Sequence, residues 1–125
     1  MPDFHGDSKV LTLSFDTPIF QKTYELYKEF HRHQVNLPRM ERYTLGLRCE
    51  NAILDLLEAF IAASQQTKAE KLPTLQKASI KLDMTKVFIR LCKDIKIIDN
   101  KNYLAIESSL QEIGRMLGGW IKSST

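Results

Sequence analysis

The 125-residue sequence is poor in cysteine, proline and glycine, with two, four and five of them respectively. So little glycine and proline suits a mostly helical protein. Cys49 and Cys92 form no CxxC pair, which excludes a cysteine-based metal knuckle and predicts two buried thiols in a reducing compartment. The longest apolar run, Ala59 to Ala63, is far shorter than a membrane span. The N-terminal residues show no basic n-region and no long apolar stretch, so we expect no signal peptide. We therefore expect a soluble, cytoplasmic protein with no membrane partner.

Charge is plentiful but nearly balanced between the two signs. Charged residues make up 26% of the chain and apolar residues 43%, with a net charge of +3. A chain of this length is expected to form one domain that buries a core without disulfides. The modest positive charge permits a nucleic-acid or acidic partner without requiring one.

Apolar residues recur at helical spacing over most of the chain. This pattern predicts an all-α fold, an up-down-up-down four-helix bundle over residues 17–122, preceded by an extended N-terminal arm over residues 1–16. The predicted helices run from Thr17 to about Val35, from about Arg39 to Gln66, from Pro73 onward, and from Lys101 to Lys122. Thr17 with Pro18, Pro73, and Asp99 with Asn100 are the expected start signals.

The third predicted helix is apolar on two opposite sides. One stripe consists of Leu75, Ala78, Leu82 and Ile89, and the other of Ile80, Met84, Val87, Phe88, Leu91 and Ile95. No helix is fully enclosed in a four-helix bundle, so the second stripe predicts a contact with another subunit. Phe88 is our candidate residue for that contact.

Patterns that would indicate catalysis are missing from the sequence. No Glu stands three residues before a His, which excludes the di-iron bundle pattern. His31 and His33 are two positions apart and would face different directions on a helix. Neither cysteine has a base assigned to it by any motif. We therefore expect no enzyme, no cofactor and no metal.

Basic residues form a short stripe on the third predicted helix. Lys86, Arg90 and Lys93 fall at i, i+4 and i+7, and Arg39, Arg42 and Arg48 add charge near the start of the second helix. Such runs are usually solvated helix faces. Repeated around a ring of subunits, the same stripe would form a basic surface able to contact phosphates. Both interpretations stay open at this point.

The last helix ends in an unusual glycine-rich stretch. An apolar stripe runs through Ile106, Leu110, Ile113, Leu117 and Trp120. Gly114 and Gly118 share another face, which would let a second backbone approach closely, and Arg115 points away from the apolar stripe. Ordinary packing at a fraying helix end is the plainer interpretation.

Three segments together resemble a known family. They are Leu37-Pro38-Arg39, the Leu-Asp-Leu-Leu-Glu-Ala-Phe segment from Leu54 to Phe60, and the Gly-Arg-Met-Leu-Gly-Gly-Trp-Ile ending from Gly114 to Ile121. Over Pro18 to Lys122 the chain resembles the accessory variability determinant (Avd) proteins of diversity-generating retroelements. It is similar, more distantly, to the four-helix-bundle proteins encoded in intervening sequences of bacterial 23S ribosomal RNA genes.

The Avd resemblance implies a homopentameric barrel of four-helix protomers with a positively charged surface. It implies binding to a reverse transcriptase and to template RNA (or DNA), in support of mutagenic cDNA synthesis, without a catalytic site. Arg115 takes the arginine of the Gly-Arg motif, while Gly114, Gly118 and Trp120 take its small and aromatic positions, all mainly structural. The alternative is a free-standing bundle of the intervening-sequence type with a scaffolding or interaction role.

Overall fold

The computed structural model describes residues 17–125. This part of the chain forms five α-helices joined by short connections. They are α1 (Pro18–Gln34), α2 (Arg39–Tyr43), α3 (Leu45–Ser64), α4 (Lys68–Asp94) and α5 (Asn100–Ser123). Both α1 and α4 pack against α3 and α5, so the four long helices surround one core, while the short α2 packs on α3. The predicted all-α bundle is confirmed, and the described residues contain no strand. The arm predicted for residues 1–16 lies outside the described residues.

The second predicted helix is in fact two helices, broken at Thr44. The backbone of Thr44 has φ −116° and ψ −98°, outside the helical region. A continuous helix would use the Arg42 carbonyl to accept from the Gly46 N–H. Instead, Gln34 Nε2 at the end of α1 donates to that carbonyl over 2.9 Å. This long-range hydrogen bond explains why the single-helix prediction was wrong.

The third predicted helix starts earlier than proline placement suggested. Helix α4 begins at Lys68, and Pro73 lies inside it. Thr67 and Glu70 form a capping box, in which Thr67 N donates to Glu70 Oε1 (3.0 Å) and Glu70 N donates to Thr67 Oγ1 (3.3 Å). The prediction that Pro73 opens the helix was therefore wrong, because the Thr-x-x-Glu cap sets its start.

The connection between α4 and α5 contains the C-terminal cap of α4 and the N-terminal cap of α5. Lys96 adopts a left-handed conformation with φ 66°, its N–H donates to the Lys93 carbonyl, and Ile97 N donates to the Cys92 carbonyl. This is a Schellman motif with lysine in the position that glycine usually occupies. Asp99 Oδ1 then accepts from Asn102 N over 2.8 Å, so the predicted cap of the last helix is confirmed.

The core consists of the inward stripes of the long helices. The predicted stripe Ile106, Leu110, Ile113 and Leu117 is buried, as are Leu75, Ala78, Leu82 and Ile89 of α4. Both cysteines are also buried, which confirms that part of the prediction. Their Sγ atoms, one from α3 and one from α4, lie 3.8 Å apart.

Membrane-spanning helices and clustered metal ligands are both absent from the described residues. Within residues 17–125, no helix combines the length and the apolar character needed to cross a bilayer. Over the same residues, no group of three or more His, Cys, Asp or Glu side chains is placed to hold a metal ion.

Candidate nucleic-acid interface

A groove runs between α4 and α5 and consists of two clefts that share Lys86. The lower cleft, about 310 Å³, is lined by Lys86, Val87, Arg90, Leu91, Tyr103 and Glu107. The upper cleft, about 410 Å³, is lined by Ser79, Leu82, Asp83, Lys86, Gln111, Gly114, Arg115, Leu117 and Gly118. We call the two together the α4–α5 groove.

Matching spacings on the two helices place the polar side chains in this groove. Ser79, Asp83, Lys86 and Arg90 stand at i, i+4, i+7 and i+11 along α4, and Glu107, Gln111, Gly114 and Gly118 repeat this spacing along α5. Residues so spaced share one face of a helix. The sequence interpretation missed Ser79, Asp83, Glu107 and Gln111 because they are neither basic nor apolar, although this common spacing was visible.

The predicted basic stripe of α4 lies along the groove. Arg90 Nε donates to Asp94 Oδ1 over 3.2 Å, and this hydrogen bond, together with the Asp94 charge and Tyr103, raises the pKa of the guanidinium. Lys93 Nζ lies 4.8 Å from the centre of the Tyr103 ring, a cation–π contact. Lys86, half-buried, lines both clefts. Lys86 and Arg90 therefore line the groove, and Lys93 lies beside it over the Tyr103 ring.

Arg115 joins them from the opposite helix. It is exposed and lines the upper cleft together with Lys86, so the Gly-Arg motif and the α4 stripe meet at one site. The carboxylates of Asp83 and Glu107 also line the groove. Cations are therefore in only modest excess in a single protomer.

Gly114 and Gly118 contribute no side chains to the upper cleft. A Cβ on Gly114 would lie 3.5 Å from Leu82 Cδ2 and 3.7 Å from Lys86 Nζ, which are ordinary contact distances. A Cβ on Gly118 would meet no atom of residues 17–125 within 4 Å. Packing among the described residues therefore does not require glycine at either position. The close backbone approach expected there does not occur within this part of the chain.

The other three predicted arginines lie away from the groove. Arg48 places its guanidinium 5.2 Å from the centre of the Phe88 ring, on the side of α4 that faces α3. Arg42 Nη2 donates to the Leu37 carbonyl, which holds the turn before α2. Arg39 is exposed at the start of α2. None of the three lines either cleft.

An uncovered apolar stripe borders the groove on the outer side of α4. Its members are Ile80 (66% exposed), Met84 (41%), Val87 (50%), Leu91 (42%) and Ile95 (49%), which we call the outer stripe. Val87 and Leu91 also line the lower cleft. Nothing else in the described chain buries these side chains, although exposing a large apolar surface is unfavourable.

Trp120, which the sequence placed on the apolar stripe of the last helix, packs against the core, and so does Phe88, the candidate for a subunit contact. Phe88 is half-buried, packs against the core and is turned toward Arg48. Trp120 packs tilted against Phe60, with ring centres 6.3 Å apart, and lies under Lys71 Nζ. Both therefore contribute to the protomer itself.

The fold and the groove define the class of this protein, an all-α bundle with a cationic groove beside an exposed apolar helix face. The chain belongs to the bAvd-like family, whose model matches residues 18–124. This confirms the Avd resemblance seen in the sequence. The family is generally an accessory, non-catalytic one. Searches of curated proteins and of solved structures gave no match.

Proposed function

We propose that this protein is a non-catalytic accessory factor of a diversity-generating retroelement. In this role it binds the reverse transcriptase and the template RNA and supports mutagenic cDNA synthesis in the cytoplasm. Membership of the bAvd-like family supports the accessory role. The observation that carries the RNA-binding part is the convergence of Lys86 and Arg115 on one groove.

The groove suits a phosphate backbone better than a small-molecule substrate. It is long, open and lined by cations from both helices, with Lys93 beside the Tyr103 ring. Contacts to phosphates supply most of the affinity of sequence-independent nucleic-acid binding. The carboxylates of Asp83 and Glu107 weaken the attraction of one groove for phosphates. Strong binding of RNA therefore needs the grooves of several protomers acting together.

The same proposal includes self-association, with a homopentamer as the expected assembly. The outer stripe of α4 is a row of apolar side chains whose burial would stabilise a subunit contact. Because Val87 and Leu91 belong both to this stripe and to the lower cleft, a subunit packed there would border the groove. Repetition around a ring would then join the separate cationic grooves into one surface.

Co-purification of the tagged protein from its native host tests this function directly. Identification of a reverse transcriptase and a structured RNA in the purified complex would support the accessory role. Recovery of the protein alone, as an oligomer, would contradict it. That result would favour the alternative, a free-standing bundle with a scaffolding role.

A further inference from the structure

Two thiols from different helices meet in the core of the bundle. Cys49 belongs to α3 and Cys92 to α4, and their Sγ atoms lie 3.8 Å apart. Both residues are 0% exposed, so the pair is shielded from water. A disulfide requires the sulfurs to close from this contact distance to about 2.05 Å.

We propose that Cys49 and Cys92 form an oxidation site, at which a small peroxide converts the two thiols into a reversible disulfide between α3 and α4. This site lies inside the protomer and shares no residue with the α4–α5 groove. The inference therefore does not depend on the proposed RNA-binding role.

Each thiol is the hydrogen-bond partner of the other, and either sulfur can be the donor. The thiolate is the attacking form of cysteine, so the sulfur that carries it is the first nucleophile and the other is the resolving thiol.

The reaction balances with peroxide as the only oxidant. The thiolate of one cysteine attacks one peroxide oxygen, so that an S–O bond forms, the O–O bond breaks, and hydroxide leaves and takes up a proton. The sulfur of the other cysteine then attacks this sulfenic acid, so that the S–S bond forms, the S–O bond breaks and the second water leaves with the thiol proton. The thiols lose two electrons and two protons, and the peroxide is reduced to two waters.

The pair is buried, with both residues 0% exposed. Peroxide therefore reaches it through local opening of the bundle, which exposes core side chains without global unfolding.

The test is to treat the reduced, folded protein with hydrogen peroxide and to measure its intact mass after thiol alkylation in denaturant. We expect no alkylated cysteine, a mass lower by two hydrogens, and full reversal by dithiothreitol. Since the chain contains only two cysteines, an intramolecular disulfide can only be this one. Circular dichroism during the reaction verifies that the helices remain folded.

Single variants test the sulfenic acid intermediate. In Cys49→Ser and in Cys92→Ser the remaining cysteine cannot form the intramolecular disulfide and should stop at a sulfenic acid that dimedone traps. If either variant fails to fold, the wild-type experiment decides alone. Retention of two alkylatable thiols, a disulfide only between chains, or sulfinic acid without a disulfide would each overturn the proposal.

Discussion

Lys86 of α4 and Arg115 of α5 line the same cleft, although they lie on different helices and in unrelated sequence patterns. Lys86 belongs to a basic stripe, and Arg115 to the glycine-rich ending of the last helix. Gly114 and Gly118 line the same cleft and contribute no side chains to it. This relationship turns two weak sequence signals into one site whose role can be measured.

Charge reversal at this pair should weaken binding to a structured RNA. In the double variant Lys86→Glu and Arg115→Glu, we expect the dependence of log affinity on log salt to flatten by roughly one for each phosphate that the protein no longer neutralises. The measurement is a titration of fluorescent RNA at several salt concentrations. The double variant Arg39→Glu and Arg48→Glu is the matched control, because both residues are exposed and lie outside the groove and the change in net charge is the same. Equal effects of the two double variants would remove the groove from consideration.

The outer stripe should govern assembly without governing the fold of the protomer. Val87→Asp with Leu91→Asp places two charges on a surface that is about half exposed, so the isolated protomer tolerates them but a buried subunit contact does not. We expect a lower mass by light scattering and an unchanged helical content by circular dichroism. An unaltered mass would show that subunits do not meet on this stripe.

Phe88→Asp makes a useful contrast with that double variant. Phe88 packs against the core and against Arg48, so an aspartate there should lower the free energy of unfolding of the protomer, by about 3 kcal/mol if it resembles other aromatic core substitutions. Urea unfolding measures this change. An unchanged urea midpoint would show that the Phe88 ring adds little to the core.

Two glycines should respond oppositely to alanine. A Cβ on Gly46 would lie 2.9 Å from Leu37 Cδ1 and would also contact the buried Gln34 side chain, so Gly46→Ala should destabilise the protein by roughly 1–3 kcal/mol. Gly118→Ala meets open space and should stabilise it by about 0.5–1 kcal/mol, since alanine favours the helix. Urea unfolding of both variants measures the difference. A destabilised Gly118→Ala would contradict this account.

The capping box of α4 should contribute to acid sensitivity. Hydrogen bonds from Thr67 hold the pKa of the Glu70 carboxyl below its ordinary value of 4.5. A carboxyl with a depressed folded-state pKa stabilises the protein above its unfolded pKa, and this stabilisation is lost as pH falls through the folded-state pKa. Glu70→Gln keeps a capping side chain but cannot titrate. Its urea midpoint should therefore fall less than that of the wild type between about pH 5 and about pH 3; identical pH profiles would exclude this role.

The sequence predicted the number and type of the long helices, but not every boundary. Helix α5 was located well because its cap, Asp99, lies beside the segment that it caps. The break at Thr44 was missed because it depends on Gln34, a residue from the preceding helix. The early start of α4 was missed for a different reason, since Thr67 and Glu70 are a local signal that was outweighed by Pro73.

The residues of the site were predictable from the sequence, but their arrangement in one groove was not. Lys86, Arg90 and Lys93 share a face by spacing alone; Lys86 and Arg90 line the lower cleft, and Lys93 lies over the Tyr103 ring. Whether that face meets α3 or α5 depends on how the helices are arranged around the core, and the sequence does not state this arrangement. The structure assigns the stripe to the α5 side and Arg48 to the α3 side.

The sequence by itself determined the helical class, the buried stripes, the cap of the last helix and the family, because each rests on residues near one another along the chain or on a local motif. Tertiary structure alone decided that Lys86 and Arg115 line one cleft and that Cys49 meets Cys92. These facts concern residues from different helices. They follow from which helix faces pack together, and that choice is set by burial over the whole core.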